Sequence, residues 1–316
     1  MKKDKKLLLV IVGPTAVGKT EIAIEVAKII DGEIISADSM QIYRYMNIGT
    51  AKPTEEEKNG IPHHLIDIVN PDQEFTVADY KYLAEKAIEE ITKRNKIPIL
   101  SGGTGLYINA VCYNYSFSDF HKDEELRREL NLLAEKNGNE YLYNILKEVD
   151  PKSAEKIHKN NRKRMIRALE VYYRTGKPFS LFENENDKKE SPYDLIIFGL
   201  TRPREELYER INNRVLKMIE DGLIEEVKNL LKMGYSKELN SMKGLGYKEI
   251  IEYLEGKASL EEAIYKIQRD TRHYAKRQYT WFKKNKDIIW LDVSMEGKEK
   301  IIQYIVLTVE GKLKNY

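Results

Sequence analysis

Residues 7–20 read LLLVIVGPTAVGKT: six apolar residues, then Gly13, four variable positions, and Gly18-Lys19-Thr20. An unbroken apolar run of this length reads as a strand buried on both faces. Gly-x-x-x-x-Gly-Lys-Thr placed directly after a strand and before a helical pattern is the phosphate-gripping P-loop. Gly13, Pro14, Thr15, Ala16, Val17 and Gly18 form the loop, whose backbone N–H groups turn inward while the next helix presents its positive end. Lys19 neutralises phosphate charge, and Thr20 offers its hydroxyl to Mg²⁺. The motif predicts phosphate binding and leaves the reaction open.

Outward from the loop, strand and helix patterns alternate. Lys19 to Ile30 places Ile22, Val26 and Ile29 on one helical face, and GEIISADS reads as a second strand ending at Asp38. PHHLIDIV is a shorter strand candidate, a helix spans about Val77 to Asn95, and KIPILSGGTG gives a further strand and glycine turn. The alternation predicts an α/β fold with a parallel sheet, whose ligands bind beyond the carboxyl ends of the strands. Gly13, Asp38 and Gly102 all fall at such ends. Between residues 116 and 192 the pattern becomes charged and helical, closed by the polar run ENENDKKE. DLIIFGL and DIIWLDV then resume the strand pattern. The expected organisation is a P-loop NTPase-like core, 1–115 with 193–316, and a helical insertion domain, 116–192.

The chain of 316 residues carries a formal net charge of only +2, so attraction to a polyanion has to come from local patches. HKNNRKRMIRALEVYYRTGK is one. KIQRDTRHYAKRQYTWFKKNK is another, with Arg269, Arg272, His273, Lys276 and Arg277 on one helical face. Each reads either as a solvated face or as a phosphate-binding surface, and two beside a phosphate site favour RNA. Tyr274 and Trp281, one heptad apart, read as core. In KGLGYKEI, Tyr247 between Lys243 and Lys248 reads as a base-stacking platform or as an ordinary helix start. His63-His64 reads as structural, because adjacent strand residues project in different directions. Asp38 stays open between metal ligand, base and turn former. The lone Cys112 allows no internal disulfide, and no apolar run approaches the roughly 20 residues of a membrane helix. A cytoplasmic location is expected.

VGPTAVGKTEIAIEVA, EIISADSMQIYRYMNIGTAKP, PHHLIDI, GGTGLYI, VDPKSAEKIH, RKRMIRALEVYYRTGKP, GLIEEV, KGLGYKEI and TRHYAKRQYTWF occur in an order that closely resembles the bacterial tRNA dimethylallyltransferases, over nearly the whole chain. The sequence departs from that family's pattern at Asn47, Lys159 and Asn161. The resemblance implies transfer of a dimethylallyl group from its diphosphate to the exocyclic amine of adenosine 37 in tRNA, next to the anticodon, with Mg²⁺ and release of diphosphate. It implies Asp38 as the catalytic base and Thr104 beside the target nucleotide. Arg214 joins the P-loop at the diphosphate, with Arg210 the alternative. Asp38, Ser39, Met40 and Gln41 are implied to meet the flipped base. Arg127, Lys163, Arg164, Met165, Ile166 and Arg167 are implied to hold the anticodon stem-loop, as are Lys243, Gly244, Leu245, Gly246, Tyr247 and Lys248. A monomer is expected. The competing readings are a P-loop kinase, a transferase acting on free adenine nucleotides, and an RNA-binding protein using the loop as a switch.

Overall fold

The computed structural model describes residues 5–115, 123–182 and 190–314. Six strands form one parallel sheet: β1 Leu7–Val12, β2 Gly32–Ala37, β3 His63–His64, β4 Ile97–Gly102, β5 Asp194–Thr201 and β6 Ile289–Asp292. Their order is β3-β2-β4-β1-β5-β6. Leu8 to Val12 are completely buried, as the unbroken apolar run requires of a central strand covered on both faces.

Register decides where the chemistry-bearing loops emerge. Val12 and Ala37 both pair with Gly102. The P-loop, Asp38 and Gly103 therefore leave the sheet side by side at its carboxyl edge. Gly13 has φ +150°, and a side chain there would bring a Cβ within 2.6 Å of the Leu200 carbonyl oxygen on β5, so only glycine fits this exit. The helix Lys19–Ile29 follows with Gly18 as its N-cap and no side-chain cap. Its first-turn N–H groups remain available to an anion.

Contacts divide the chain into two compact units, Met1–Cys112 with Ser191–Tyr316, and Tyr113–Glu190. The expected 115/116 boundary moves to 112/113 because the helix Gly105–Cys112 ends there, its Val111 and Cys112 buried in the first unit. Most of ENENDKKE, residues 183–189, lies outside the described residues, as do residues 116–122 at the start of the expected insertion. The second unit has its own core, in which Leu130, Leu142, Leu146, Met165 and Leu169 from the helices Glu124–Asn137, Asn139–Val149 and Arg162–Thr175 meet. Asp150, fully buried, caps the helix Pro151–Lys156 through Ser153 N–H and also accepts Ser180 N–H.

Candidate active site

A cleft of about 1020 Å³ opens at the carboxyl edge of the sheet, lined within the first unit by P-loop residues, Asp38, Gln41, Gly102, Gly103, Arg210, Arg214, Tyr274, Gln278 and the segment 47–54. The P-loop is held from outside by arginines on backbone carbonyls. Arg210 Nε donates to Ala16 O and Arg202 Nε to Val17 O, both at 2.9 Å. Lys19 Nζ donates to Pro14 O at 2.7 Å. Burial pulls the Lys19 ammonium down to about 7, with Asp38 opposing the shift and Arg214 adding to it. Arg214 is likewise lowered, by burial first, and the Asp38 charge works against that shift. Arg214 therefore fronts the cleft beside Asp38 and Lys19, whereas Arg210 is exposed and engaged with Ala16.

Asp38 begins as the turn former that its position after β2 suggested. Its Oδ1 accepts the N–H groups of Met40 at 2.8 Å and Gln41 at 3.4 Å. Oδ2 takes no hydrogen bond among the described residues, so one carboxylate oxygen is held in the turn and the other is left open to a ligand. Thr104 is tied to the same turn: its Oγ1 accepts Ser39 N–H at 3.0 Å and its own N–H reaches Ala37 O at 3.0 Å. Gln41 Oε1 accepts from Ser36 Oγ, and its Nε2 donates to the carbonyls of Thr50 and Ala51. β4 ends in Ser101-Gly102, where a phosphoryl-transfer P-loop enzyme usually places a magnesium-holding aspartate.

Two contributors to the cleft were not read as site residues from the sequence. Gln278, 5% exposed on the helix Leu260–Phe282, accepts Thr15 N–H at 2.8 Å and donates to Gly103 O at 3.0 Å, joining the P-loop to the GGTG turn. Tyr274 stands one turn earlier and lines the same cleft, its phenol pushed up to about 12 by burial and by Asp38. The available signal was their i, i+4 spacing, which puts a phenol and an amide on one helical face. The reading of Tyr274 and Trp281 as core is corrected: Tyr274 lines the cleft, and Trp281 is 42% exposed.

Other expected RNA contacts sort by exposure. Lys163 and Arg164 are exposed on the second unit, but Met165 and Ile166 are buried in its core and cannot present their side chains to RNA. Arg127 and Arg167 both bind Glu170 at 2.7 Å. Burial works against the Glu170 charge, yet these two arginines hold its carboxyl down to about 2. In the first unit, Lys243 and Lys248 are exposed, each paired with an acid, while Gly244 and Leu245 are half-buried. Gly246 and Tyr247 are buried. Tyr247 is therefore no stacking platform: its ring is completely buried and its hydroxyl donates to Glu226. His63 and His64 serve the β-sheet edge, His64 pairing with Glu33 at 2.7 Å.

The IPP transferase family model matches residues 41–285. A tRNA dimethylallyltransferase from Alkaliphilus oremlandii is 59% identical over 308 residues, covering 97% of this chain and 98% of its own. One from Alkaliphilus metalliredigens is 57% identical over 307 residues, with the same coverage. Among solved structures, the tRNA isopentenylpyrophosphate transferase of Bacillus halodurans is 46% identical, covers 98% of both chains and has a TM-score of 0.74. A eukaryotic dimethylallyltransferase acting on tRNA is 32% identical, covering 94% of this chain and 78% of its own, with a TM-score of 0.79.

Proposed function

The chain belongs to the IPP transferase family, and from that membership we infer that it transfers a dimethylallyl group from dimethylallyl diphosphate to the exocyclic amine of adenosine 37 in tRNA. The P-loop then holds a prenyl diphosphate and passes no phosphoryl group onward. One observation carries the assignment of roles: Asp38, with one unbonded carboxylate oxygen, shares a cleft with Lys19 and Arg214.

In this reading the amine nitrogen attacks the first carbon of the prenyl group, whose bond to the diphosphate oxygen breaks. Asp38 takes the proton that the nitrogen sheds. The adenine amine is a poor nucleophile because its lone pair is delocalised into the ring, and a positioned base typically contributes about 10²–10⁴-fold. Negative charge on the leaving diphosphate falls among the loop N–H groups, Lys19 and Arg214. The cleft offers oxygen donors of the kind Mg²⁺ prefers. The exposed Thr20 hydroxyl and Asp38 line that cleft, so Thr20 would hold the ion. When bound, Mg²⁺ supplies further neutralisation of diphosphate charge. Thr104 and the Asp38–Gln41 turn, joined through Ser39 N–H, would receive an adenine pulled out of its stack beside Asp38.

Exposed Lys163 and Arg164 are suited to phosphates of the anticodon stem-loop. The tRNA substrate supports a cytoplasmic site of action. The test combines dimethylallyl diphosphate, Mg²⁺ and unmodified tRNA, followed by mass spectrometry of the nucleosides. Wild-type protein is expected to yield the prenylated adenosine. Asp38→Ala is expected to abolish transfer while tRNA affinity stays nearly intact, and full activity in that variant would remove Asp38 from the mechanism.

A further inference from the structure

Glu226 lies on the helix Leu223–Lys232, more than 170 residues beyond the segment it binds. Its Oε2 accepts the backbone N–H groups of Asn47 and Ile48, both at 2.8 Å. Its Oε1 accepts Gly49 N–H at 3.1 Å and the Tyr247 hydroxyl at 2.7 Å. Four donors converge on one carboxylate, a charge-assisted arrangement stronger than neutral hydrogen bonds. The Tyr247 ring closes it from behind: a Cβ on Gly49 would lie 2.5 Å from the ring's Cε2. Burial, with the Glu226 charge adding to it, raises the phenol well above its usual range, so the hydroxyl keeps its proton and donates.

The clamped segment is a wall of the cleft. Asn47, Ile48, Thr50 and Ala51 line it, and Ile48 and Ala51 supply apolar surface together with Met218. The same segment reaches the catalytic turn, because the Thr50 and Ala51 carbonyls accept from Gln41, whose own N–H binds Asp38. We propose that Glu226 and Tyr247 are positioning residues that hold the wall 47–51 against the prenyl chain and thereby set the placement of the donor relative to Asp38. The proposal rests on the reading of this cleft as the prenyl-donor site. Tyr247 thus acts within the protein, through Glu226, and makes no contact with RNA.

Steady-state transfer, with dimethylallyl diphosphate and tRNA varied in turn, is measured for wild type, Tyr247→Phe, Glu226→Gln and Gly49→Ala. Tyr247→Phe keeps the ring and removes one bond; it is expected to raise the donor KM about tenfold, the scale of one bond to a charged group, and to lower kcat. The KM for tRNA is expected to stay within about twofold, since neither side chain meets RNA in the proposal. Adding Tyr247→Phe to Glu226→Gln is expected to change donor KM little further, because the two changes break one unit.

Gly49→Ala leaves all four partners chemically intact but forces the wall away from the Tyr247 ring, so its donor KM is also expected to rise. This variant keeps the test valid where a clamp variant fails to fold. A donor KM unchanged in Gly49→Ala or Tyr247→Phe overturns the proposal, as does a rise confined to the tRNA KM. Wild-type protein inactive with this donor and tRNA would instead refute the donor-site reading beneath it.

Discussion

Lys19 is pulled in opposite directions by folding and by ligand. Burial lowers its pKa from 10.5 to about 7, so the folded chain gives up a proton that the unfolded chain keeps between those values. The unfolded state binds more protons there, and stability therefore rises as pH climbs from about 7 toward 10.5. A diphosphate in the loop adds negative charge and favours the ammonium. Productive donor binding consequently weakens as pH rises through about 7, because the free loop loses its charge. The expected outcome is a descending limb in kcat/KM for the donor above about pH 7, approaching tenfold per pH unit. Lys19→Arg keeps its charge across that range and should lack the limb, whatever its absolute rate. A wild-type profile flat to about pH 9 would remove Lys19 titration from donor binding.

Among the elements, the helix Leu260–Phe282 organises more of the site than its position near the chain end suggests. A capping box starts it, with Ser259 and Glu262 satisfying each other's backbone N–H groups. One face then brings Tyr274 to the cleft and Gln278 to both Thr15 and Gly103. Gln278→Leu removes the partner of a loop N–H and of a buried carbonyl, a loss of about 1–3 kcal/mol per stranded group. Thermal unfolding is expected at lower temperature, and prenyl transfer is expected to fall about tenfold or more at saturating tRNA as the P-loop loses its anchor. Gly103→Ala attacks the same joint from the other side, since its Cβ would lie 2.1 Å from Gln278 Nε2. Wild-type kinetics in Gln278→Leu would show that the P-loop needs no such anchor.

This joint also marks where sequence reading stopped. The central strands were legible because burial on both faces writes an unbroken apolar run, as in LLLVIV, and Asp38 and Gly102 were legible as strand ends; the edge candidate PHHLIDIV shrinks to His63–His64, half-buried. A glutamine bonded to a glycine 175 residues away leaves no local pattern. The heptad spacing of Tyr274 and Trp281 was read as core because periodicity identifies a face without saying what it fronts; here that face meets a cleft and solvent.

For the whole molecule, the loss of strand alternation after residue 115 was enough to indicate an inserted helical unit, since a helix-only stretch has to bury its apolar stripe on itself. Which of its basic residues remain for RNA was not legible. Arg127 and Arg167 are drawn to Glu170, a buried acid 43 and 3 residues from the two arginines, and are half-buried where Lys163 and Arg164 are exposed. Removing Arg127 strips a buried carboxylate of a partner, so that variant loses stability and cannot report on RNA alone. Lys163 and Arg164 are exposed and lie outside that pair of bonds. Lys163→Ala combined with Arg164→Ala is expected to weaken tRNA binding while kcat at saturating tRNA holds. Each phosphate contact contributes about 0.7–0.9 to the slope of log K against log salt, so losing two should flatten it by about 1.4–1.8. Binding titrations across a salt series read this directly. Weakened binding with an unchanged slope would mean that these side chains reach RNA through something other than phosphate, and unchanged binding would mean that the insertion contacts tRNA elsewhere.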